Sequence, residues 1–137
     1  MQRSNIKNQN YNSKSKIDLK VRCYKFSLDL IKFIDNLPNK KSCWVISDQL
    51  LRSGLSVGAN IVEAKSASSR LEFKRYFEIS LKSANETKYW LGLLRDSKIS
   101  NKENVDPLLA EVTEISNILG SSIISLKGKK LNFNLIF

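Results

Sequence analysis

The side chains in this sequence that could do chemistry are carboxylates and thiols, because it contains no histidine. Most proton-transfer and nucleophilic sites need an imidazole. Helical bundles that hold two metal ions pair glutamates with Glu-x-x-His motifs, so Glu63, Glu78 and Glu86 lack the partners for such a site. There is also no glycine-rich phosphate loop. We therefore expect a protein that is not an enzyme, with no catalytic residues, no metal site and no cofactor.

The two thiols, Cys23 and Cys43, show no metal-binding spacing and have no histidine to join them in a zinc site. A disulfide between them is possible, but nothing marks the chain as secreted. Residues 1–15 lack the apolar core of a signal peptide. No apolar run approaches the roughly 18 residues that span a bilayer. We expect reduced thiols, a cytoplasmic location and no membrane partner.

The charge of the chain is strongly positive, with 23 Lys and Arg against 13 Asp and Glu, a net charge of +10. Such an excess favours a polyanionic partner, although it can also serve solubility alone. The charge is unevenly placed. Residues 1–41 hold ten cations and three acids, residues 65–102 nine and four, and residues 103–126 four acids and no cation. This distribution favours a binding face or a contact between subunits.

The elements that would carry these charges are helices, because glycine (5) and proline (2) are too scarce for an all-β fold. Apolar periodicity predicts helices at about 17–36, 43–64, 70–97 and 107–127. Short connections favour an all-α, antiparallel up-down-up-down four-helix bundle in a single domain. Residues 1–16 are expected to form a disordered basic tail, and residues 131–137 an apolar C-terminal tail.

Four local signals set the expected boundaries of these helices. Pro38 ends the first helix, since a proline disfavours helix at the preceding residue. Ser42 is the expected N-cap of the second, Ser69 and Glu72 form a capping box for the third, and Asp106-Pro107 starts the fourth. Inside the second helix, Gly54 and Gly58 are four residues apart, which we interpret as a place where another helix comes close. Four polar residues are expected to fix helix register as buried or half-buried groups: Asn60, Glu63, Asn85 and Glu86.

The first and third helices each carry two apolar faces. In the first, the spacing of Ile17, Val21, Tyr24, Leu28 and Ile31 predicts the buried stripe. In the third, that stripe is Phe73, Phe77, Ala84 and Leu91. Second apolar faces favour self-association, although a wide core stripe in a monomer would look alike. The expected interface residues are Phe26, Phe33, Ile79, Tyr89, Trp90 and Leu93.

Several segments resemble a known family. The pieces are LRSG and SVGANIVEA in the second helix, SRLEF opening the third, SANETKYWLGLLRD within it, and EVTEISNILGSSIISLK in the fourth. They are similar to the four-helix bundle proteins encoded in intervening sequences of bacterial 23S ribosomal RNA genes, a family that includes the accessory variability proteins of diversity-generating retroelements. The resemblance covers about residues 17–130, although the family often has glycine where Ala64 stands.

The resemblance implies a basic homopentameric ring without catalytic residues. The retroelement accessory proteins bind nucleic acid and a reverse transcriptase, which makes both possible partners here. Our leading hypothesis is an oligomer that binds RNA or DNA through basic faces. The alternative is a protein-interaction scaffold or a reverse-transcriptase accessory subunit. The residues expected to contact phosphates are Arg22, Lys25, Arg70, Lys74, Arg75 and Lys82.

Overall fold

The computed structural model describes the backbone of residues 2–128 and the side chains of residues 19–128. All elements in this part of the chain are helices, namely α1 (Gln2–Asp35), α2 (Lys41–Ala64), α3 (Arg70–Asp96) and α4 (Lys102–Lys127). Each helix packs on its neighbours in chain order, and α4 closes the bundle against α1. The expected four-helix bundle is confirmed.

The helices run antiparallel, as contacts between α2 and α3 show. Ser53 on α2 meets Thr87 on α3, whereas Val57, one turn further along α2, meets Ser80, which comes earlier on α3. Residue numbers therefore rise on one helix as they fall on the other. The expected up-down-up-down order follows from this pairing and from the short connections.

The start of α3 matches the expected capping box in one of its two bonds. Ser69 Oγ accepts a hydrogen bond of 3.1 Å from the backbone N–H of Glu72. In a capping box the Glu72 carboxylate would accept from the N–H of Ser69. Here it accepts instead from the N–H (3.0 Å) and the hydroxyl (2.6 Å) of the preceding residue, Ser68. These bonds lower the pKa of Glu72, and they satisfy donors that a helix start leaves open.

The start of α4 differs from the expected Asp106-Pro107. Its N-cap is Asn101, whose side chain accepts from the Asn104 N–H at 3.1 Å, and Pro107 lies inside the helix. The extra turn is anchored by Val105, which is fully buried. Because Pro107 removes only one donor close to the helix start, the cap and this burial offset its cost.

The start of α2 is also earlier than expected. Its N-cap is Lys40, with no side-chain capping bond, rather than Ser42. Trp44 Nε1 donates a 2.6 Å hydrogen bond to Asn39 Oδ1 across this turn. That bond fixes the entry of the chain into α2 without a capping side chain.

The helical backbone of α1 begins at Gln2, ahead of the expected start at Ile17. The side chains before Leu19 and the whole of residues 131–137 lie outside the described residues. The expected basic and apolar tails therefore stay predictions.

The core follows the expected stripe of α3 and a matching apolar stripe of α4. In α3, Phe73 and Phe77 are buried with their ring centroids 4.7 Å apart. The other buried side chains of these two stripes are Ala84, Leu91, Leu94, Leu108, Val112, Ile115, Leu119, Ile123 and Leu126. Periodicity identified these positions because each of the two helices has one clearly dominant apolar face.

The stripe expected on α1 is wrong. Tyr24 is 68% exposed, and Val21, Leu28 and Ile31 are also exposed, whereas Phe26 (1%) and Leu30 (0%) are buried. The helix does carry two apolar faces, but the one that enters the core is the one expected to lie outside. Periodicity finds both faces and does not choose between them.

The two glycines of α2 explain which face of α1 turns inward. A Cβ at Gly54 would collide with the side chain of Leu30, and one at Gly58 would lie 3.2 Å from Cys23 Cβ. The missing side chains leave a groove that receives this face of α1. The interpretation of the glycine pair as a close helix contact is confirmed.

Buried hydroxyls line the contact between α2 and α3, a feature we call the hydroxyl seam (Ser53, Ser56, Ser80, Ser83 and Thr87). Thr87 Oγ1 lies 3.0 Å from Ser53 Oγ, and Ser83 Oγ lies 3.1 Å from Ser56 Oγ. Ser53, Ser80 and Thr87 are fully buried. Their small side chains let the helices approach closely, and their hydrogen bonds offset the cost of burying hydroxyls.

The polar residues expected to fix register act differently. Asn60 bonds within its own helix, to Ser56, while Glu63 and Asn85 are exposed. Of the four, Glu86 bridges two helices, with both carboxylate oxygens 2.7 Å from Arg52 Nη2. Register between α2 and α3 therefore rests mainly on the hydroxyl seam.

Candidate nucleic-acid interface

Arg22, one of the cations expected to contact phosphates, forms a two-pronged ion pair within the bundle. Its Nε lies 2.9 Å from Glu111 Oε1 and its Nη2 lies 3.1 Å from Oε2, which joins α1 to α4. Both side chains are about two-thirds buried or more. The guanidinium of Arg22, whose planar geometry would suit a phosphate, thus binds the Glu111 carboxylate of the same chain.

Arg70 and Lys74 also have partners in the same chain. Arg70 Nη2 donates to the carbonyls of Leu126 (2.7 Å) and Gly128 (3.1 Å), and so caps the last turn of α4. Lys74 Nζ lies 3.6 Å from Glu78 Oε1 on the next turn of α3. Arg22 and Arg70 hold the bundle together, and they are poor candidates for contacts with a ligand.

Arg75 and Lys82 on α3, and Lys25 on α1, are exposed. None of the three forms an ion pair among the residues that the structure describes. Arg75 and Lys82 are seven residues apart, so they lie along one line on the outer side of α3. These two cations are free to meet an anion from solution.

The same line continues to Tyr89, seven residues beyond Lys82, and its ring is 60% exposed. Ile79 lies beside the line between the two cations, and we call these four residues the α3 outer face (Arg75, Ile79, Lys82 and Tyr89). Residues that were expected to serve two different purposes, phosphate contact and self-association, therefore share one surface.

The charge of the α3 outer face is positive because the acids beside it are neutralised. Glu78 pairs with Lys74, and Glu86 pairs with Arg52. Both carboxylates are thus engaged by other cations, and Glu72, nearer the start of α3, bonds to Ser68. The face presents two free cations next to an exposed aromatic ring.

The residues expected at an oligomer interface differ in their burial. Phe26 belongs to the core of its own bundle, so its assignment to an oligomer interface is wrong. Phe33 packs partly against that core and lines a cleft of about 470 Å³ between α1 and α4. Trp90 is partly buried against the core, and its Nε1 is a buried donor without a partner among the described residues. Leu93 is half-buried, whereas Ile79 and Tyr89 are exposed.

A second surface, not expected from the sequence, is apolar. On α1 it holds the exposed side chains Val21, Tyr24, Leu28 and Ile31. On α2, Leu51, Leu55 and Val62 flank the glycines that contact α1, on the side away from the core. We call this surface the α1–α2 apolar face (Val21, Tyr24, Leu28, Ile31, Leu51, Leu55 and Val62). The α1 part of this surface was visible in the sequence, because its residues form the apolar stripe that we expected to enter the core.

Known proteins share the sequence pattern and the architecture of this chain. The sequence pattern of the 23S rRNA-intervening sequence proteins matches residues 15–121. The chain belongs to that family. It is also similar to a crystal structure of a protein of unknown function from the S23 ribosomal protein family of Bacteroides thetaiotaomicron, with 39% identity and a TM-score of 0.73. The similarity covers 77% of this chain and 97% of that one. No curated protein matches.

In this member of the 23S rRNA-intervening sequence protein family, both surfaces lie within the matched range. Across the described residues, no group of three acidic or thiol side chains could hold a metal ion. In the same part of the chain, no helix has the length and apolar character to cross a membrane.

The two thiols of this family member are free and buried. Cys23 packs on Gly58, and Cys43 lies about 22 Å from that glycine along α2, at about 1.5 Å per residue. A disulfide between them is excluded, because it needs Cα atoms within about 7 Å of each other. Burial raises the pKa of Cys23 to about 12; the Glu111 carboxylate adds to the rise, and Arg22 opposes it. Cys23 is therefore protonated and unreactive at neutral pH.

Proposed function

We propose that this protein is a non-catalytic, self-associating bundle that binds RNA or DNA through the α3 outer face. The observation that carries the proposal is the state of Arg75 and Lys82, which are exposed and unpaired while the neighbouring Glu78 and Glu86 pair with other cations. Cations placed in this way contact phosphates without reading sequence. The net charge of +10 adds long-range attraction to a polyanion.

We assign self-association to the α1–α2 apolar face. It gathers apolar side chains from two adjacent helices, and contiguous apolar surfaces of this kind mark interaction sites on soluble proteins. The resemblance of the sequence to pentameric proteins supports a ring. In such a ring several α3 outer faces would act together, so the overall affinity would exceed that of one subunit.

The salt dependence of binding tests the proposal. Labelled RNA and DNA oligonucleotides are titrated with the protein at 50 mM and 200 mM salt, and fluorescence anisotropy is measured. We expect dissociation constants on the order of micromolar that rise steeply with salt, because binding releases counterions from the phosphates. Equal affinity at both salt concentrations would exclude an electrostatic mechanism.

Charge reversal locates the surface. We expect the double variant Arg75→Glu/Lys82→Glu to lose more than about tenfold in affinity, since both free cations on α3 become repulsive. The matched control is Lys32→Glu/Lys41→Glu, which makes the same change in net charge at exposed positions on α1 and α2. Equal losses in the two variants would mean that net charge, and not the α3 outer face, attracts the ligand.

A protein-interaction scaffold, including a reverse-transcriptase accessory subunit, is the competing function. It would use the acids of α4 as a contact for the basic face of another subunit. Glu111 is already paired with Arg22, and Asp106 with Arg95 and Lys102, which leaves the exposed Glu103 and Glu114 as the acids of α4 open to such a contact. If Arg75→Glu/Lys82→Glu abolishes assembly but retains nucleic-acid binding, the scaffold function is the correct one.

A further inference from the structure

We propose that Tyr89 is a stacking platform for an unpaired base, so that the protein selects single-stranded nucleic acid over duplex. This inference rests on the proposed function and names the ligand class that the α3 outer face fits. Two observations support it: Tyr89 lies in line with the free cations Arg75 and Lys82, and its ring packs against Trp90.

The ring of Tyr89 is exposed but anchored. It meets Trp90 edge-on, with ring centroids 5.0 Å apart and an interplanar angle of 69°. Trp90 in turn packs against the core. A rigid aromatic ring with few side-chain torsions loses little entropy when a ligand stacks on it. Tyr89 therefore offers a preformed surface for a planar group.

The spacing of the α3 outer face fits the repeat of a nucleic-acid strand. At about 1.5 Å per residue, Lys82 lies about 10 Å and Arg75 about 21 Å from Tyr89 along the helix axis. A strand in a duplex rises about 3.4 Å per nucleotide and an unpaired strand can extend further, so these distances correspond to at most about three and six nucleotides. A base on Tyr89 would thus place later phosphates of the same strand near both cations, with Ile79 between them.

A duplex does not satisfy this arrangement. Its bases are stacked on one another, and it offers a face to Tyr89 only at its ends. A duplex would engage Arg75 and Lys82 through phosphates and gain nothing from the ring. Because every base has a π-face, stacking on Tyr89 discriminates by strandedness and tolerates any sequence.

Two other exposed aromatic side chains lack this context. Tyr24 lies in the α1–α2 apolar face, and Trp44 donates its N–H to Asn39 at the start of α2. Trp44 serves as the control, since it is also an exposed aromatic residue and lies outside both the α3 outer face and the α1–α2 apolar face.

The test compares three ligands at one salt concentration: a uridine hexamer, the abasic hexamer with the same phosphates, and a six-base-pair duplex. Fluorescence anisotropy is measured with the full chain and with Tyr89→Ala, Tyr89→Phe and Trp44→Ala. We expect Tyr89→Ala to weaken uridine-hexamer binding by about 5- to 150-fold, the range for loss of one stacked base. Tyr89→Phe and Trp44→Ala should bind as the unchanged protein does, and no variant should change abasic binding.

A spectroscopic readout is independent of affinity. The sequence has two tryptophans, so Trp44→Phe leaves Trp90, beside Tyr89, as the sole indole reporter. We expect the uridine hexamer at saturation to change the emission of Trp90, and the abasic hexamer to leave it unchanged. The same emission change with both ligands would overturn stacking at Tyr89.

The outcomes separate this inference from the proposed function. If Tyr89→Ala binds the uridine hexamer normally while Arg75→Glu/Lys82→Glu loses it, stacking is overturned and the nucleic-acid face stands. If neither variant changes binding, the proposed function fails as well. Equal affinity of the unchanged protein for hexamer and duplex would also overturn the selectivity. Circular dichroism of each variant confirms that it is folded.

Discussion

The hydroxyl of Ser80 on α3 donates a 2.7 Å hydrogen bond to the backbone carbonyl of Val57 on α2. Ser80 and Val57 are both fully buried, so the bond gives the Ser80 hydroxyl the partner that a buried polar group needs. It lies within the hydroxyl seam, which fixes the register of the two helices that carry the glycine groove and the α3 outer face.

Removal of this hydroxyl should destabilise the bundle. We expect Ser80→Ala to lower the free energy of unfolding by about 0.5 to 1.5 kcal/mol, the usual net contribution of one hydrogen bond. Ser80→Val should cost more, about 1 to 3 kcal/mol, because it overfills the contact. Urea unfolding measures both. The exposed Ser121→Ala on α4 is the control and should stay within about 0.5 kcal/mol of the unchanged protein. Unchanged stability of Ser80→Ala would contradict the importance of the seam.

The groove on α2 predicts opposite effects for two Gly→Ala substitutions. A Cβ at Gly54 collides with Leu30, which is itself fully buried, whereas one at Gly120 of α4 meets nothing within 4 Å. We expect Gly54→Ala to destabilise the protein by about 1 to 3 kcal/mol. Gly120→Ala should stabilise it by about 0.5 to 1 kcal/mol, because alanine favours helix. Thermal unfolding followed by circular dichroism distinguishes them, and a shift of the same sign in both variants would rule out the groove.

The α1–α2 apolar face predicts the effect of a single charge on assembly. Leu28→Glu places a carboxylate within this face, and burying it between subunits would be costly. We therefore expect the mass measured by light scattering to fall to that of a monomer. Ile124→Glu is the control, since Ile124 is 73% exposed on α4 and lies outside the face. An oligomer that persists in Leu28→Glu would place the interface elsewhere, and a monomeric unchanged protein would refute self-association.

The buried thiol of Cys23 predicts a loss of stability at alkaline pH. In the unfolded chain the pKa of a thiol is about 8.5, whereas burial raises the pKa of Cys23 in the folded protein to about 12. Between these values the folded state holds the proton and the unfolded state releases it, so stability falls as pH rises. This group alone should remove about 2 kcal/mol between pH 8 and pH 10.

Urea unfolding of the unchanged protein and of Cys23→Ala at both pH values isolates this effect. Tyrosines and lysines titrate in the same range, but they contribute equally to both proteins and cancel in the difference. The pH dependence should be weaker in Cys23→Ala. Identical dependence would show that Cys23 does not keep its proton in the folded state.

Much of the fold could be predicted from the sequence, because the main apolar stripes of α3 and α4 are clear and α3 has a clear cap at Ser69. The orientation of α1 could not, since Phe26 and Leu28 belong to two apolar faces of comparable strength. Choosing between them requires knowing that Gly54 receives Leu30, which is a tertiary contact. The start of α4 could not be predicted from the Asp106-Pro107 signal, because the burial of Val105, a tertiary effect, extends the helix back to the cap at Asn101.

The candidate site was predicted in part. Arg75, Lys82 and Tyr89 could be found from charge and from the period of α3. The internal use of Arg22 and Arg70 could not, because their partners Glu111 and Leu126 are distant in the chain. The hydroxyl seam was missed since serine and threonine carry no apolar signal, and their burial depends on the neighbouring helix.

Arg70 has a consequence for how the end of the bundle opens. Its guanidinium ties the first residue of α3 to the carbonyls of Leu126 and Gly128, on either side of Lys127. Helix ends normally fray, and frayed ends are where proteases cut. Here the last turn of α4 cannot unwind unless the hydrogen bonds from Arg70 break. Trypsin should therefore cut after Lys127 at a rate set by this local opening, and Arg70→Gln should accelerate that cut while leaving exposed cleavage sites elsewhere unaffected.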